Sequence, residues 1–530
     1  MQYNTLLAII SLSSILLSQM TQPDELPIGL TEAEKNNIQL IYEMGRDTDP
    51  PLSPVRNIAE YERMSGVLIR YPFGISVDII RELSEDLIVY CLVSSTQESS
   101  ALSSMSTGNV NTNNVEFITG PTDSYWTRDY GPWWVVDGEN NMGIVDFTYN
   151  RPRLNDNEAP LKVSQSLNVP YYSVDIVHAG GNYMTDGYGI SASSNLVYEE
   201  NNMSNDDLNN LMNLYYGIET YHVIADPNNT YIDHIDCWGK YLSPTKVLIR
   251  EVPAGHAQYS EVELAANYFT ETLNTWDEPW EVYRVWTPND QPYTNSIIVN
   301  NKVLVPVMNS SWDDEALAVY EEALPGYEVI GFTGTWESTD ALHCRVKGIP
   351  DLEMLQLFHR PLRDTIAPLQ LSGYQLELGI EDLSGSGIMK DSIKVFWRNE
   401  LMEDYDFSLM YQSDIPELQN KYIGHIPLQV LGSDIHYYIQ GADSSGRVEA
   451  SPLAGYHSFY ALPTDACDSW ERGDMDNSGS IDIVDVLILA DLIVYNDSSG
   501  VCCESVADIN TDGVLSIIDI LTLVSLLVSQ

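Results

Sequence analysis

The chain has 530 residues, 44% of them hydrophobic and 10% aromatic, which is enough apolar material for roughly three globular domains and too much for a disordered chain. Its 77 Asp and Glu against 25 Lys and Arg leave a formal net charge of -52. Such a field excludes nucleic acid and anionic membrane surfaces as partners, draws in cationic ligands and divalent metals, and suits a protein kept soluble outside the cell.

In chain order, residues 1–20 (MQYNTLLAIISLSSILLSQM) hold an apolar run followed by small and polar residues, with no Lys or Arg ahead of it. That is the length of a signal-peptide core and is too short to span a bilayer. No later stretch reaches about 18 uncharged apolar residues, so the expectation is a secreted or surface-attached protein without a membrane span. Residues 21–55 are polar and proline-rich around one helical pattern, TEAEKNNIQLIYEM, and read as a linker or removable pro-segment. Across 56–361 short apolar strands alternate with helices: VLIRYP then SVDIIRELSED, KVLIREVP then SEVELAANYFTETLN, KVLVPVMN then WDDEALAVYEEALPG. This predicts an α/β domain whose strand–helix unit recurs about five times. Across 364–462, segments such as YQLELGIEDL, SIKVFWRN and IHYYIQGADSSGR alternate apolar with polar between Gly, Asp and Ser turns, the pattern of an antiparallel β-sandwich.

The tail, 467–530, carries DMDNSGSIDIVD and DINTDGVLSIID, beginning at residues 474 and 508. Each offers oxygen side chains at loop positions 1, 3, 5, 9 and 12 and a Gly at the sharp turn, as a calcium loop requires. The ligands predicted are Asp474, Asp476, Ser478, Asp482 and Asp485 in the first, and Asp508, Asn510, Asp512, Ser516 and Asp519 in the second. Each loop runs into an apolar helix. The pair resembles a type I dockerin, which implies two structural Ca²⁺ ions and a cohesin-like docking partner. The positions where dockerins contact cohesin are usually small and polar; here they are Ile483-Val484 and Ile517-Ile518. Of the six cysteines, Cys467 could bridge to Cys502 or Cys503 in an oxidising compartment, while Cys91, Cys237 and Cys344 lie scattered through the first part of the chain.

Cys344, in DALHC, needs a proton shuttle and a group that holds an electrophilic carbon against sulfur if it is to act as a nucleophile. His234 can shuttle the proton. Asp236, two residues on, falls on the same side if the segment is extended, and Asp129 sits among Trp126, Tyr130 and Trp133. Two carboxylates facing one cavity suit a guanidinium, with its five N–H donors. Plainer readings stand beside this one: Asp129 in a surface ion pair with Arg128, His234 and Asp236 as metal ligands (though no further ligands lie at useful spacing), and Trp126 as core. Cys91 and Cys237 read as structural thiols. His343 and Arg345, flanking Cys344, point elsewhere if that segment is a strand, and receive no role. Arg151 and Arg153 would lie on one side of an extended stretch stiffened by Pro152, or form a solvated basic turn.

WTRDYGP (126–132), GGNYMTDGYG (180–189), HIDCWGKYL (234–242), QPYTNS (291–296) and DALHC (340–344) occur in this order. Together they resemble the bacterial, Porphyromonas-type peptidylarginine deiminases, relatives of the agmatine deiminases within the pentein superfamily. The resemblance covers about residues 56–460 and implies a five-bladed α/β propeller followed by an immunoglobulin-like domain. It implies that Cys344 attacks the guanidinium carbon and ammonia leaves. Water then hydrolyses the thiouronium adduct to a ureido product, with no catalytic cofactor. His234 would protonate the ammonia and activate the water, Asp129 and Asp236 would hold the guanidinium, and Asn295 would line the site beside the sulfur. Trp126, Tyr231, Arg151 and Arg153 would bind substrate, the two arginines gripping the free carboxylate of a C-terminal arginine. Arginine-containing peptides or proteins are the expected partners. Agmatine is the rival substrate, and a non-catalytic surface-binding protein the rival of another class.

Overall fold

The computed structural model of the protein describes residues 26–368, 373–413, 418, 421–429, 432–462, 471–476, 478–495, 504–511 and 514–529. The expected signal peptide and the expected disulfide at Cys467, Cys502 and Cys503 lie outside the described residues, as does Asp512.

One unit is repeated around the α/β part: a one-turn helix or turn, a short strand, a longer antiparallel strand, a crossover helix, and a strand parallel to the second. In the first sheet Thr127–Tyr130 leads into Trp133–Val136, which pairs antiparallel with Met142–Tyr149. Helix Ala159–Leu167 then returns the chain to the parallel strand Tyr171–His178. The next three sheets repeat this with central strands Ile190–Ser194, Lys246–Glu251 and Lys302–Val307. The last sheet joins the two ends of the region. Lys347–Pro350 pairs antiparallel with Met64–Arg70, which continues through helix Val77–Asp86 to the parallel strands Ile88–Val93 and Val115–Thr119. Crossover helices cover the sheets, so the central strands are buried on both faces and read as continuous apolar runs such as IVYCLV. The helices are set by local signals: the Ser76 hydroxyl accepts from Ile79 N to cap Val77–Asp86, and Gly217, at φ +68°, ends Asn205–Tyr216.

The β-rich region that follows has two sheets. One runs Leu355–Phe358, Tyr374–Asp382, Lys421–Ile426, Tyr411–Gln412. The other contains Thr365–Ile366, His457–Ala461, Ser433–Ala442, Lys394–Asn399 and Asp406–Leu409, with Val448–Ser451 paired on Ser433–Ala442. Alternate residues of Ser433–Ala442 are buried, Ile435, Tyr437 and Ile439 meeting Leu376, Leu378 and Val395 between the sheets. Strand Leu355–Phe358, within the stretch read from sequence as α/β, pairs with Tyr374–Asp382 instead. The region is held to the α/β part by the bidentate pair Arg63–Glu449 and by Arg447–Asp351. In the tail, helices Ile483–Tyr495 and Ile517–Ser529 pack together, Leu489 and Leu523 fully buried in their shared core. Among the described residues no helix is long and apolar enough to cross a membrane.

Candidate active site

The turns that lead into the sheets pack against one another and carry the polar residues expected in the site. Asp129 comes from Thr127–Tyr130, Asp236 from Ile235–Cys237 with His234 capping its N-terminus, and Cys344 from His343–Arg345. Asn295 ends the turn that Pro292 begins, before Ile297–Val299. Asp129, His234 and Asp236 meet at Gly181, in Gly180–Asn182. A Cβ there would stand 2.6 Å from Asp129 Oδ1, 2.8 Å from His234 Nδ1 and 3.1 Å from Asp236 Oδ2, so any side chain would fill the space the three share.

Asn295 Nδ2 donates to Cys344 Sγ at 3.3 Å, while its Oδ1 accepts from His343 N at 3.0 Å, which fixes the amide against the sulfur. Cys344 Sγ donates to Asp236 Oδ2 at 3.6 Å. The thiol is wholly buried, with 0% exposure. Burial, then the charges of Asp236 and Asp129, push its pKa well above the usual thiol value. Burial and the neighbouring Asp236 likewise hold Asp129 well above the carboxylate range. Burial draws His234 down to about 4, and neither ring nitrogen has a hydrogen-bond partner among the described residues. Asp236 is the exception. Burial opposes its charge, but the hydrogen bond and charge of His343, with His234 and Lys240, hold its pKa below the usual value. Two buried carboxyls and the His234 imidazole, whose Nδ1 lies 3.7 Å from Asp129 Oδ1, thus face one point, with the thiol against Asp236.

Several local expectations are corrected. The segments around His234 and Cys344 are one-turn helices rather than extended strands, because each chain must turn from one sheet into the next. Three residues per turn send neighbouring side chains in different directions, so His343 does not point away: its Nδ1 meets Asp236 Oδ2 and its Nε2 meets Glu60 Oε2, both at 2.7 Å. Glu60 also takes Arg128 Nη2 and Lys240 Nζ, each at 2.7 Å. Arg128 is therefore buried and paired with Glu60, and it forms no surface pair with Asp129. Glu60 and His343 are the residues that sequence reasoning missed. Adjacency to Cys344 was the available signal for His343; Glu60, in AEYERM, has none. Arg345 braces Asp340 through Nε and Nη2, and Cys237 is buried, its Sγ donating to Asp236 Oδ1 at 3.6 Å.

Arg151 and Arg153 do not lie on an extended segment. Arg153 N bonds Arg151 O at 2.7 Å in a tight turn, and both side chains are buried. Arg153 lies over the ring of buried Trp126, 5.3 Å from its centroid. Tyr231 stays 67% exposed, its ring against Gly29 of the N-terminal segment. A cavity of about 520 Å³ lies at the junction with the β-rich region and has none of these residues in its wall.

Residues 74–350 of the 530 match the family model described as Porphyromonas-type peptidyl-arginine deiminase. The chain belongs to the Porphyromonas-type peptidyl-arginine deiminase family. This deiminase is 24% identical over 261 residues to the "Putative agmatine deiminase" of Mycoplasma capricolum subsp. capricolum, covering 41% of this chain and 71% of that one. It is 23% identical over 289 residues to the agmatine deiminase of Medicago truncatula, covering 43% and 77%. Among solved structures, the agmatine deiminase of Enterococcus faecalis superposes with a TM-score of 0.52 at 16% identity, over 58% of this chain and 99% of that one, a likeness of fold. The deiminase is an enzyme of the class that hydrolyses C–N bonds of amidines, with a pentein-like α/β domain.

In the tail of the deiminase, Asp474, Asp476 and Asp485 bring carboxylate oxygens within 4.8 Å of one another, a spacing that fits one divalent ion with oxygen ligands. Backbone amides of Ser478 and Gly479 hold Asp474, and those of Met475 and Asp482 hold Asp485. Ser478 Oγ turns to Ser480, and Asp482 Oδ1 accepts from Val484 N. In the second loop Asp519 is likewise held by the amides of Asn510 and Ser516, and Ser516 Oγ accepts from Ile518 N. Asp508 is described there too.

Proposed function

We propose that the protein is a secreted peptidylarginine deiminase that converts a C-terminal arginine of a peptide to citrulline. One observation carries this reading: a buried imidazole and two carboxyls converge on Gly181, with the buried Cys344 thiol against one of those carboxyls, and the buried arginines Arg151 and Arg153 nearby. The side chain of a bound arginine would bring its charge to these carboxyls, and its carboxylate would match Arg151 and Arg153. We read the five sheets as blades of an α/β propeller, the β-rich region as an immunoglobulin-like sandwich, and the tail as a dockerin. In that tail the loop carboxylates would hold two Ca²⁺ ions and the exposed Ile483-Val484 and Ile517-Ile518 would face a cohesin-like partner.

In the proposed reaction the guanidinium sits between Asp236, which is already held ionised, and Asp129, which ionises beside it. With a cation beside it the thiol is no longer penalised. Sulfur attacks the guanidinium carbon, and the thiol proton passes to neutral His234. The C–N bond to a terminal nitrogen breaks as His234 returns the proton, releasing ammonia and leaving a thiouronium. Water then gives a proton to His234 and its oxygen to the carbon, and the C–S bond breaks. Net, a guanidinium and water become a ureido group and ammonium. Positioned acid–base help of this kind is worth about 10² to 10⁴ in rate.

The agmatine reading is favoured by the names of the curated relatives, but agmatine has no carboxylate for Arg151 and Arg153. The deciding experiment measures ammonia release from a peptide ending in free arginine, its amide, and agmatine. Preference for the free acid is expected. It should be lost by about 30-fold or more in Arg151→Ala, the cost of stranding one side of a buried charge pair, with little change on agmatine. Cys344→Ala should abolish release and chelators should not. Equal rates on acid and amide would transfer the protein to the agmatine branch.

A further inference from the structure

The site is closed by the protein's own chain. Residues 26–34 cross the approach to Cys344, and what they touch there is the machinery assigned to the substrate. Ile28 is 4% exposed and lies in one apolar cluster with Cys344, Trp126 and Ile232, with Leu26 packed against it. Its carbonyl accepts from Arg151 Nε at 3.0 Å. Arg153 Nη2 donates to the carbonyls of Pro27, at 2.7 Å, and Gly29, at 3.1 Å, while Arg153 Nε donates to Glu34 Oε1 at 2.7 Å. Burial would raise the Glu34 pKa, but Arg153 and the Thr31 amide hold it below the usual carboxylate value. The segment is prepared for this seat. Thr31 and Glu34 form a capping box around Glu32–Lys35, which fixes the Glu34 side chain facing Arg153. Tyr231 lies across Gly29 from outside.

These contacts copy a peptide. A carboxylate and chain carbonyls occupy the guanidinium forks of Arg151 and Arg153, and an aliphatic side chain enters toward the sulfur where the arginine side chain would have to enter. The segment carries no guanidinium, so it fills the cleft without offering a reacting carbon.

We propose that residues 26–35 are a self-inhibiting plug that occupies the peptide site of the deiminase and is released by cleavage in the turn after Lys35. The place of cleavage follows from the surface. Lys35 is the first basic residue of the chain, and residues 35–39, between helices Glu32–Lys35 and Gln39–Met44, are exposed. The chain beyond is held down: Ile41 and Met44 are buried with Val177, and Arg46 pairs with Glu158 and Asp146. A trypsin-like protease would therefore meet an accessible Lys35–Asn36 bond, and the freed piece would keep only its contacts with the cleft.

The proposal rests on the Cys344 centre being the deiminase site, so the experiment has a readout that does not depend on turnover. Alkylation of Cys344 by iodoacetamide is followed by mass spectrometry in the full chain, in the full chain carrying Ile28→Asp, and after limited trypsin digestion at Lys35. An unpaired carboxylate against the apolar cluster should unseat the plug. Alkylation should quicken about tenfold or more in both altered forms, with melting of the remaining protein unchanged. Turnover of a peptide ending in free arginine should rise in parallel. A synthetic peptide of residues 26–36 added to the clipped protein should restore inhibition, competitively with that substrate, and its Glu34→Ala version should do so less well. Equal alkylation in all three forms overturns the plug, as does turnover that falls on clipping, which would make the segment a wall of the substrate site. Faster alkylation without turnover of any guanidinium substrate would leave the plug standing and remove the deiminase reading.

Discussion

His343 meets a carboxylate oxygen at 2.7 Å on each side, Asp236 through Nδ1 and Glu60 through Nε2. A neutral imidazole has one N–H, so one contact would set a lone pair against an anion; both are favourable only when the ring carries two protons. Burial, with Arg128 and Lys240 nearby, pulls the His343 pKa down, and the two carboxylates oppose that shift. The arrangement fixes the orientation of Asp236, whose Oδ2 also faces Cys344. His343→Gln keeps a donor for one side only. Losing one hydrogen bond to a charged group costs about 1.5 to 3 kcal/mol, or roughly 10- to 100-fold. The expected result is a kcat/KM lower by that factor, mostly as a higher KM, because Asp236 would hold the cation in the proposed reaction. A variant whose melting temperature falls while the KM of the folded fraction stays put would mean that His343 only supports the fold.

At the scale of the element, the one-turn helices position the reacting groups and the tail loops pose a folding problem. Asp474 and Asp485 are buried and share a 4.8 Å cluster with Asp476. With no cation, their like charges oppose the packing of Ile483–Tyr495 against Ile517–Ser529. In the proposed calcium-loaded tail, binding energy would be folding energy for this element. In the full chain, Ca²⁺ should protect the tail from limited proteolysis and chelator should expose it, while the α/β region stays resistant and turnover is unaltered. Asp485→Ala, which removes the carboxylate held by the Met475 and Asp482 amides, should abolish the protection. A cleavage pattern indifferent to calcium would remove the dockerin reading.

For the whole molecule, charge is the dominant liability. Besides the net -52, burial raises four carboxyls, Asp146, Asp156, Asp186 and Glu200, to about 7 each. Folded, these groups hold protons more tightly than in the unfolded chain, so stability must rise as pH falls through 7 toward the unfolded carboxylate range near 4. Groups held ionised by their partners act the other way only at lower pH: Glu60, despite burial, is kept well below its ordinary value by Lys240, His343 and Arg128. The melting temperature should therefore climb by roughly several degrees from pH 8 to pH 5.5 and fall in stronger acid. High salt should weaken the general repulsion but leave the rise due to buried groups. A melting temperature that falls steadily from pH 8 downward would contradict this.

Features set by short-range chemistry were legible in the chain. The α/β alternation follows from hydrophobic period and helix caps, and the clustering of Asp474, Asp476 and Asp485 follows from the geometry of one tight loop. The residues of the site were legible as well, but only through ordered motifs resembling a known family; composition and period alone left Cys344, Asp129 and His234 open to plainer readings. What remained hidden depends on contacts between distant parts of the chain. Whether His343 faces the site is decided by a one-turn helix whose shape comes from joining two sheets. Glu60 reaches it because Lys347–Pro350 closes onto Met64–Arg70 across nearly the whole domain. The seat of Ile28 on Cys344 depends on Arg151 and Arg153, more than a hundred residues away in sequence. Local patterns specify elements because their energies are local. Burial, buried charge pairing and the closure of a cleft are properties of surfaces that exist only once the chain has folded, and those the tertiary structure alone decided.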